Sequence, residues 1–558
     1  MRRSWAPWLL GFGLLSCKHG DPENPPLPDD AGSEAADAGP TDSGAPDSGI
    51  FTLPPDRAHN GSVYYEVFVR SFADSNGDGV GDFVGLTQKL DYLNDGDPNT
   101  TTDLGVNGIW LMPIHPSPSY HGYDVTDYRS INPAYGTMAD FEAFLAAAAA
   151  RGIKVIIDLV LNHSSTAHPW FVAAKSGPND PRRSWYHFRA DDPGWTQPWG
   201  PGKVWHRLPD GSAYYYGIFW SGMPDLNLGN PDVEAEMAGM MRFWLEKGVA
   251  GFRVDAARHL FESPAGQISD QPESHTFIKR LRPQLLGPHP DAFLVAEAWT
   301  NLSTVASYYG QADEFDLAFG FDTGAAIRTA IKDGVRADFV QVLAAAERDY
   351  LDRRFEAPFL TNHDMARVMA DLGNDPTAMR LAAATLFALP GTPFLYYGEE
   401  LGMVGGPTPA DEDKRTPMRW DSTGPNFGFT AGTPWRRAPE AAGVDVATQS
   451  ADPNSLLNLY RQLIRLRLAH PALRTGDATR PATSGGGPGT TALLRTKNNQ
   501  RILYVVNFRN EAATDLTLEL EGTPTALLSE GIAAPRREGT RLIFPTLPPR
   551  SHAYYTLE

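Results

Sequence analysis

The chain has 558 residues, 42% of them hydrophobic and 21% charged, so most of it must fold around a core, and its length allows three or four domains. A formal net charge of −19 argues against nucleic acid or an anionic membrane surface as the main partner, but leaves a neutral ligand such as a sugar open. A single cysteine excludes a disulfide framework and a cysteine-rich zinc site, while 13 Trp and 20 Tyr suit flat amphipathic ligands as well as large cores.

Residues 1–17 read MRRSWAPWLLGFGLLSC. Arg2 and Arg3 make a positive start, and Trp8 to Leu15 make an apolar stretch too short to span a membrane stably. The segment ends in Leu14-Leu15-Ser16-Cys17, which resembles a bacterial lipobox and places the chain's one cysteine where lipid would be attached. The expectation is a lipoprotein signal peptide with Cys17 as the acylated first mature residue. The protein would be exported and held at a membrane, periplasmic or at the cell surface, through that anchor alone. Each buried CH₂ of such a chain contributes ~0.8 kcal/mol. Residues 18–57 are acidic and rich in Pro, Gly, Ser and Ala, and cannot bury enough surface to fold, so they read as a tether.

From Ser62 onward short apolar runs alternate with helical stretches. The runs are 63–69, 108–114, 155–161, 251–255, 293–297, 315–319, 358–362 and 393–398. Continuous apolar runs are the pattern of buried parallel strands. Thr137 and Asp140 make a capping box before FEAFLAAAAA, with Gly152 as the stop. Asn230-Pro231 starts a second clear helix that Gly248 ends. Eight such units predict an α/β chain folded as a (β/α)₈ barrel over 58–163 and 229–470. Residues 164–228, rich in Trp, Tyr, Pro and Gly, read as a subdomain inserted after the third strand. Residues 471–558 carry strand patterns behind a GGGPG turn and predict a C-terminal antiparallel β-sandwich.

Barrel enzymes gather their chemistry at the C-terminal ends of the strands. Four of the runs end in polar clusters. The third gives Asp158 and then Asn162-His163; the fourth gives Arg253 and Asp255, followed by Arg258-His259; the fifth gives Glu297; the seventh gives Asn362-His363-Asp364. Asp255, Glu297 and Asp364 therefore converge on one mouth from three strands. One such acid alone reads as structural; three, with histidines and an arginine, read as catalytic.

DLVLNH, GFRVDAARH, Glu297 within VAEAW, and FLTNHD resemble the four ordered sequence blocks of the α-amylase family, glycoside hydrolase family 13. MPDLN at 223–227 resembles its fifth block. The resemblance spans roughly 58–558. It implies a retaining glycosidase with Asp255 as nucleophile, Glu297 as general acid and Asp364 as the third acid that binds sugar hydroxyls. It implies that Arg253 keeps Asp255 ionised, and that His163 and His363 hydrogen-bond the sugar at the cleavage point. In Tyr120-His121-Gly122-Tyr123-Asp124 it implies that Tyr123 stacks on the sugar and His121 bonds it. Arg258 and His259 resemble the basic pair on the leaving-group side, where the family often has Lys rather than Arg.

DSNGDGVGD, 74–82, resembles the family's calcium loop. The resemblance implies a structural Ca²⁺, with Mg²⁺ as the alternative, held by Asp74, Asn76, Asp78, Asp82 and the carbonyl of Val80; hard oxygen donors suit either ion. A second site at Asn162 and the His259 carbonyl is left open. YYGEELGM and RTPMRW resemble oligo-1,6-glucosidases, but Met223 replaces their usual Gln, and Tyr120 replaces an Asp that grips the terminal sugar. Both departures imply endo cleavage of α-1,4 glucans such as starch or maltooligosaccharides. An oligo-1,6-glucosidase, α-glucosidase or neopullulanase-like enzyme, a glucan transglycosylase and a non-catalytic glucan-binding protein remain the alternatives. A monomer is expected.

Overall fold

The computed structural model describes residues 59–558 except 425, 438 and 440. The expected signal peptide, Cys17 and the tether lie outside the described residues. Eight parallel strands form the centre: β1 (Tyr64–Val67), β2 (Gly108–Leu111), β3 (Lys154–Leu159), β4 (Gly251–Val254), β5 (Phe293–Ala296), β6 (Leu317–Phe319), β7 (Glu356–Ala357) and β8 (Phe394–Tyr396). They pair in the order β7-β6-β5-β4-β3-β2-β1-β8. A parallel bridge between Phe359 and Phe394 brings the two ends together into a barrel.

The seventh strand differs from its expected run. Regular pairing falls at Glu356–Ala357, before 358–362, because Pro358 has no N–H to give to a ladder. Its carbonyl still accepts from Phe394 N at 3.0 Å, which supports the closure. The barrel interior is filled by Tyr64, Trp110, Phe293, Phe319, Phe359 and Phe394. Gly108 is required there, since a Cβ would stand 2.4 Å from the Tyr64 ring.

The helices start where their caps stand. Thr137 and Asp140 form the reciprocal capping box of Met138–Ala150. Asn230 caps Pro231–Glu246 by accepting from Asp232 N. Between β3 and β4 three short antiparallel strands, Phe188–Arg189, Tyr214–Tyr216 and Trp205–Arg207, form a small sheet. Buried Asp225 ties this insertion to the end of β3: Oδ2 accepts from Asn162 Nδ2 at 3.0 Å, and Oδ1 from Ile218 N at 3.0 Å.

After the helix Leu456–Ala469, a five-stranded and a four-stranded antiparallel sheet pack around Leu503, Val505, Leu516, Leu518, Phe544 and Tyr555. This domain docks on the barrel helix Pro376–Ala388, where Tyr554 donates to Ala384 O and Arg495 to Ala388 O. Among the described residues no helix is long and apolar enough to cross a membrane.

Candidate active site

One buried arginine organises the mouth of the barrel. Arg253 is the third residue of β4 and its guanidinium lies over the Trp110 ring, 5.2 Å from its centroid. Nη1 stands 2.5 Å from Asp158 Oδ1 on β3 and 2.7 Å from Asp255 Oδ1; Nη2 stands 2.7 Å from Glu297 Oε2, just beyond β5. Period-two alternation puts Arg253 and Asp255 on the same face of their strand. Ala256 follows at φ 52°, a left-handed backbone that turns its N–H onto Glu297 Oε2 at 3.1 Å.

A second chain of contacts meets the first. Glu66, inside β1, lies 2.6 Å from His363 Nδ1, and His363 Nε2 lies 2.7 Å from the Tyr123 hydroxyl and 3.2 Å from Asp364 Oδ2. Tyr123 also donates to Asp158 Oδ2 at 3.1 Å. Arg415 closes the far side, with Nη2 2.8 Å from Asp364 Oδ1, Nε on the His363 carbonyl at 3.1 Å and Nη1 on the Tyr120 hydroxyl at 3.2 Å. Asp255, Glu297 and Asp364 thus border one cationic network.

The three acids sit in different fields. Burial would raise Asp364, but His363, Arg415 and Arg253 outweigh it and hold that carboxyl below its ordinary range. Burial raises Glu297 despite the pull of Arg253, with Asp255 and Asp364 adding to the rise. Burial also raises Asp255. Arg253 pulls it down, but desolvation outweighs the cation, which is shared with Asp158 and Glu297. His163, 1% exposed, is pushed down to about 3 by burial, and its Nε2 has no hydrogen-bond partner among the described residues. A neutral imidazole with an unspent nitrogen suits a sugar hydroxyl. His121 is pushed down to about 4, chiefly by burial, and its ring stacks on Tyr123 at 6.0 Å.

Arg258 and His259 lie on the short turn after β4. His259 Nδ1 is 2.9 Å from the Ile268 carbonyl, and its ring meets Trp199 and Phe219 of the insertion. The Arg258 fork is taken by Asp270, at 3.0 Å and 2.5 Å, and its remaining amino group by the Trp299 carbonyl at 2.6 Å. In these contacts it braces protein groups.

Three further side chains complete the site. Glu66 interrupts an apolar run, Asp158 interrupts another, and Arg415 lies in RTPMRW; the interrupted runs were the visible signal.

The loop 74–82 lies away from these groups in the contacts it makes. Asp74 accepts from Asn76 N, Gly77 N, Gly79 N and Thr430 Oγ1; Asn76 accepts from Asp78 N, and Asp78 from Val80 N. Asp82 accepts from Ser75 and caps Phe83–Gln88 through Gly85 N. The loop's candidate ligands are all hard oxygens. No three His, Cys, Asp or Glu side chains gather as a metal cluster among the described residues.

A family model, Alpha amylase, catalytic domain, matches residues 66–476. The chain belongs to the α-amylase family, glycoside hydrolase family 13, and is a retaining glycosidase. It is 39% identical over 464 residues to Alpha-amylase 3 of Dictyoglomus thermophilum, covering 81% of this chain and 87% of that one. It is 31% identical over 516 residues to an Oligo-1,6-glucosidase of Parageobacillus thermoglucosidasius, covering 80% and 90%. The solved α-amylase from H. orenii superposes with a TM-score of 0.76 at 39% identity, over 89% of this chain and 99% of that one.

Proposed function

We propose that the enzyme cleaves internal α-1,4-glucosidic bonds of starch or maltooligosaccharides by double displacement. Asp255 attacks the anomeric carbon as the glycosidic C–O bond breaks, and the departing oxygen takes the proton of Glu297. Glu297, now a carboxylate, removes a proton from water, which attacks the anomeric carbon and frees Asp255. Arg253 sits against both carboxyls and steadies each charge as it appears. Asp364, kept ionised by His363 and Arg415, accepts sugar hydroxyls, and the unspent Nε2 of His163 meets another.

Tyr120 carries the endo reading. Its hydroxyl takes Arg415 Nη1 and its ring stacks on Trp435 at 5.4 Å, so the position that would hold a sugar-gripping carboxylate is a packed aromatic. On the other side Trp299, two residues past Glu297, is 43% exposed and open to further sugar units. The test is the product pattern from maltoheptaose, soluble starch, pullulan and isomaltose. Mixed maltooligosaccharides at the earliest times support the reading; glucose alone, or faster cleavage of isomaltose, overturns it. Arg415 beside Asp364 favours a second reading, an oligo-1,6-glucosidase-like enzyme, which the same products distinguish.

We propose further that loop 74–82 holds Ca²⁺, with Mg²⁺ as the smaller alternative. Asp74, Asn76, Asp78, Asp82 and the Val80 carbonyl would supply its oxygens and the ion would stiffen the loop. The lipid anchor at Cys17, the exported location it implies and a monomeric state are proposals resting on the sequence.

A further inference from the structure

Asp270 follows the fourth strand's turn and keeps φ 55°, a left-handed backbone that a residue other than glycine seldom adopts. Its contacts explain why the strain is held. Oδ1 accepts from Arg258 Nε at 3.0 Å and from the Tyr308 hydroxyl at 2.8 Å; Oδ2 accepts from Arg258 Nη2 at 2.5 Å. The Asp270 N–H donates back to the Arg258 carbonyl at 2.8 Å. Tyr308 is itself 1% exposed and packed on His275, 4.7 Å between ring centres, so the carboxylate is anchored from behind. A planar guanidinium gripped along one edge has its other edge fixed in direction. That edge, Nη1, donates to the Trp299 carbonyl at 2.6 Å.

Trp299 is an exposed aromatic two residues past Glu297. One face of its ring stacks on Phe321 at 4.8 Å with 12° between planes, and the side chain remains 43% exposed. Phe321 is buried among the barrel's aromatics, so the platform has a rigid base. An indole backed on one face and open on the other is a surface on which a sugar ring stacks.

We propose that Asp270 is a positioning residue for the acceptor side of the cleft: through Arg258 it fixes the Trp299 backbone, so that the Trp299 ring receives the glucosyl unit beyond the scissile bond. The proposal rests on the α-glucan reading above. Asp270 touches no substrate. It sets how tightly the leaving half of the chain, or a sugar acceptor competing with water, is held.

The experiment compares wild type, Asp270→Asn, Trp299→Ala and the double variant on two substrates. Maltoheptaose fills the acceptor side, whereas α-maltotriosyl fluoride has a leaving group too small to touch it. Asn tolerates a left-handed backbone, matches Asp in size and can still accept from Tyr308 and Arg258 Nε through Oδ1, so the substitution removes the charge and the second arm of the Arg258 fork. Asp270→Asn should lower kcat/KM for maltoheptaose about tenfold, through KM more than kcat, the size of one lost charged pair. The same variant should change fluoride turnover less than about twofold, and transfer to added maltose should fall with the maltoheptaose value. Trp299→Ala should show the same pattern, and the double variant should be no worse than Trp299→Ala alone, because both act through one platform. Equal losses on the two substrates, or additive losses in the double variant, would overturn the proposal. If wild type prefers isomaltose to maltoheptaose the endo reading fails, and Asp270 is then judged by the same ratio with isomaltose against the fluoride.

Discussion

Arg253 Nη2 lies 2.7 Å from Glu297 Oε2, so the carboxyl read as the general acid shares its cation with the nucleophile. A general acid must begin protonated, and a neighbouring cation opposes that. Burial opposes the cation and prevails, leaving Glu297 above the ordinary carboxyl range. The balance makes the acid sensitive to the guanidinium's geometry.

Arg253→Lys keeps a charge but loses the fork that reaches two carboxyls at once. With less attraction Glu297 holds its proton to higher pH, so the alkaline limb of kcat/KM on maltoheptaose should move upward. Leaving buried carboxylates short of a partner should also destabilise the fold by about 3–5 kcal/mol. A pH–rate profile and thermal unfolding measure both. An unmoved alkaline limb would show that Arg253 does not set the acid.

A second prediction lies behind β8. Glu399 and Glu400 are buried side by side; Glu399 accepts from Tyr460 at 2.7 Å and Glu400 from Tyr65 at 2.7 Å. Burial pushes Glu399 up to about 8, against an ordinary value of ~4.3. Its folded form therefore binds a proton more tightly than its unfolded form. That stability is fully present below ~4.3 and is lost as pH rises to about 8. Glu399→Gln should flatten the decline of Tm between about pH 5 and about pH 9 and leave the variant more stable than wild type at the alkaline end. Parallel curves for the two proteins would refute this.

The barrel was legible because buried parallel strands are continuous apolar runs, and the acids because each ends or closely follows such a run. Asp255, Glu297 and Asp364 needed no long-range information to be found. Glu66 and Asp158 were harder: each points inward from within a strand, and only the closed barrel shows that they meet His363 and Arg253. Arg415 comes from a loop 51 residues past Asp364, a separation that no local pattern spans. The upward shift of Asp255 is not legible in the sequence, which shows the neighbouring charge but not the burial that outweighs it. The pairing of Arg258 with Asp270 is not legible because Asp270 lies in an irregular loop.

The calcium proposal predicts that a chelator lowers Tm and that added Ca²⁺ restores it, since an ion bound to the native state stabilises it by mass action. Asp78→Ala, which removes a carboxylate of the loop, should abolish the response to Ca²⁺. An unchanged Tm in chelator, with metal loss confirmed by elemental analysis, would remove the structural role.

The anchor proposal predicts that Cys17→Ser shifts the protein from the membrane fraction to the soluble one. Mass spectrometry of the wild-type amino terminus should show acyl chains. A wild-type protein that carries no lipid and fractionates as soluble would end that reading.

The mechanism rests on Asp255 and Glu297 acting in sequence, each against Arg253, in two inversions at one carbon. Proton NMR of the first sugar released from maltoheptaose, read before mutarotation, tests it most directly. The account predicts that the new reducing end appears as the α-anomer and relaxes afterward toward the equilibrium mixture. A β-anomer as the first product would mean a single displacement by water, and would contradict the roles given to Asp255 and Glu297.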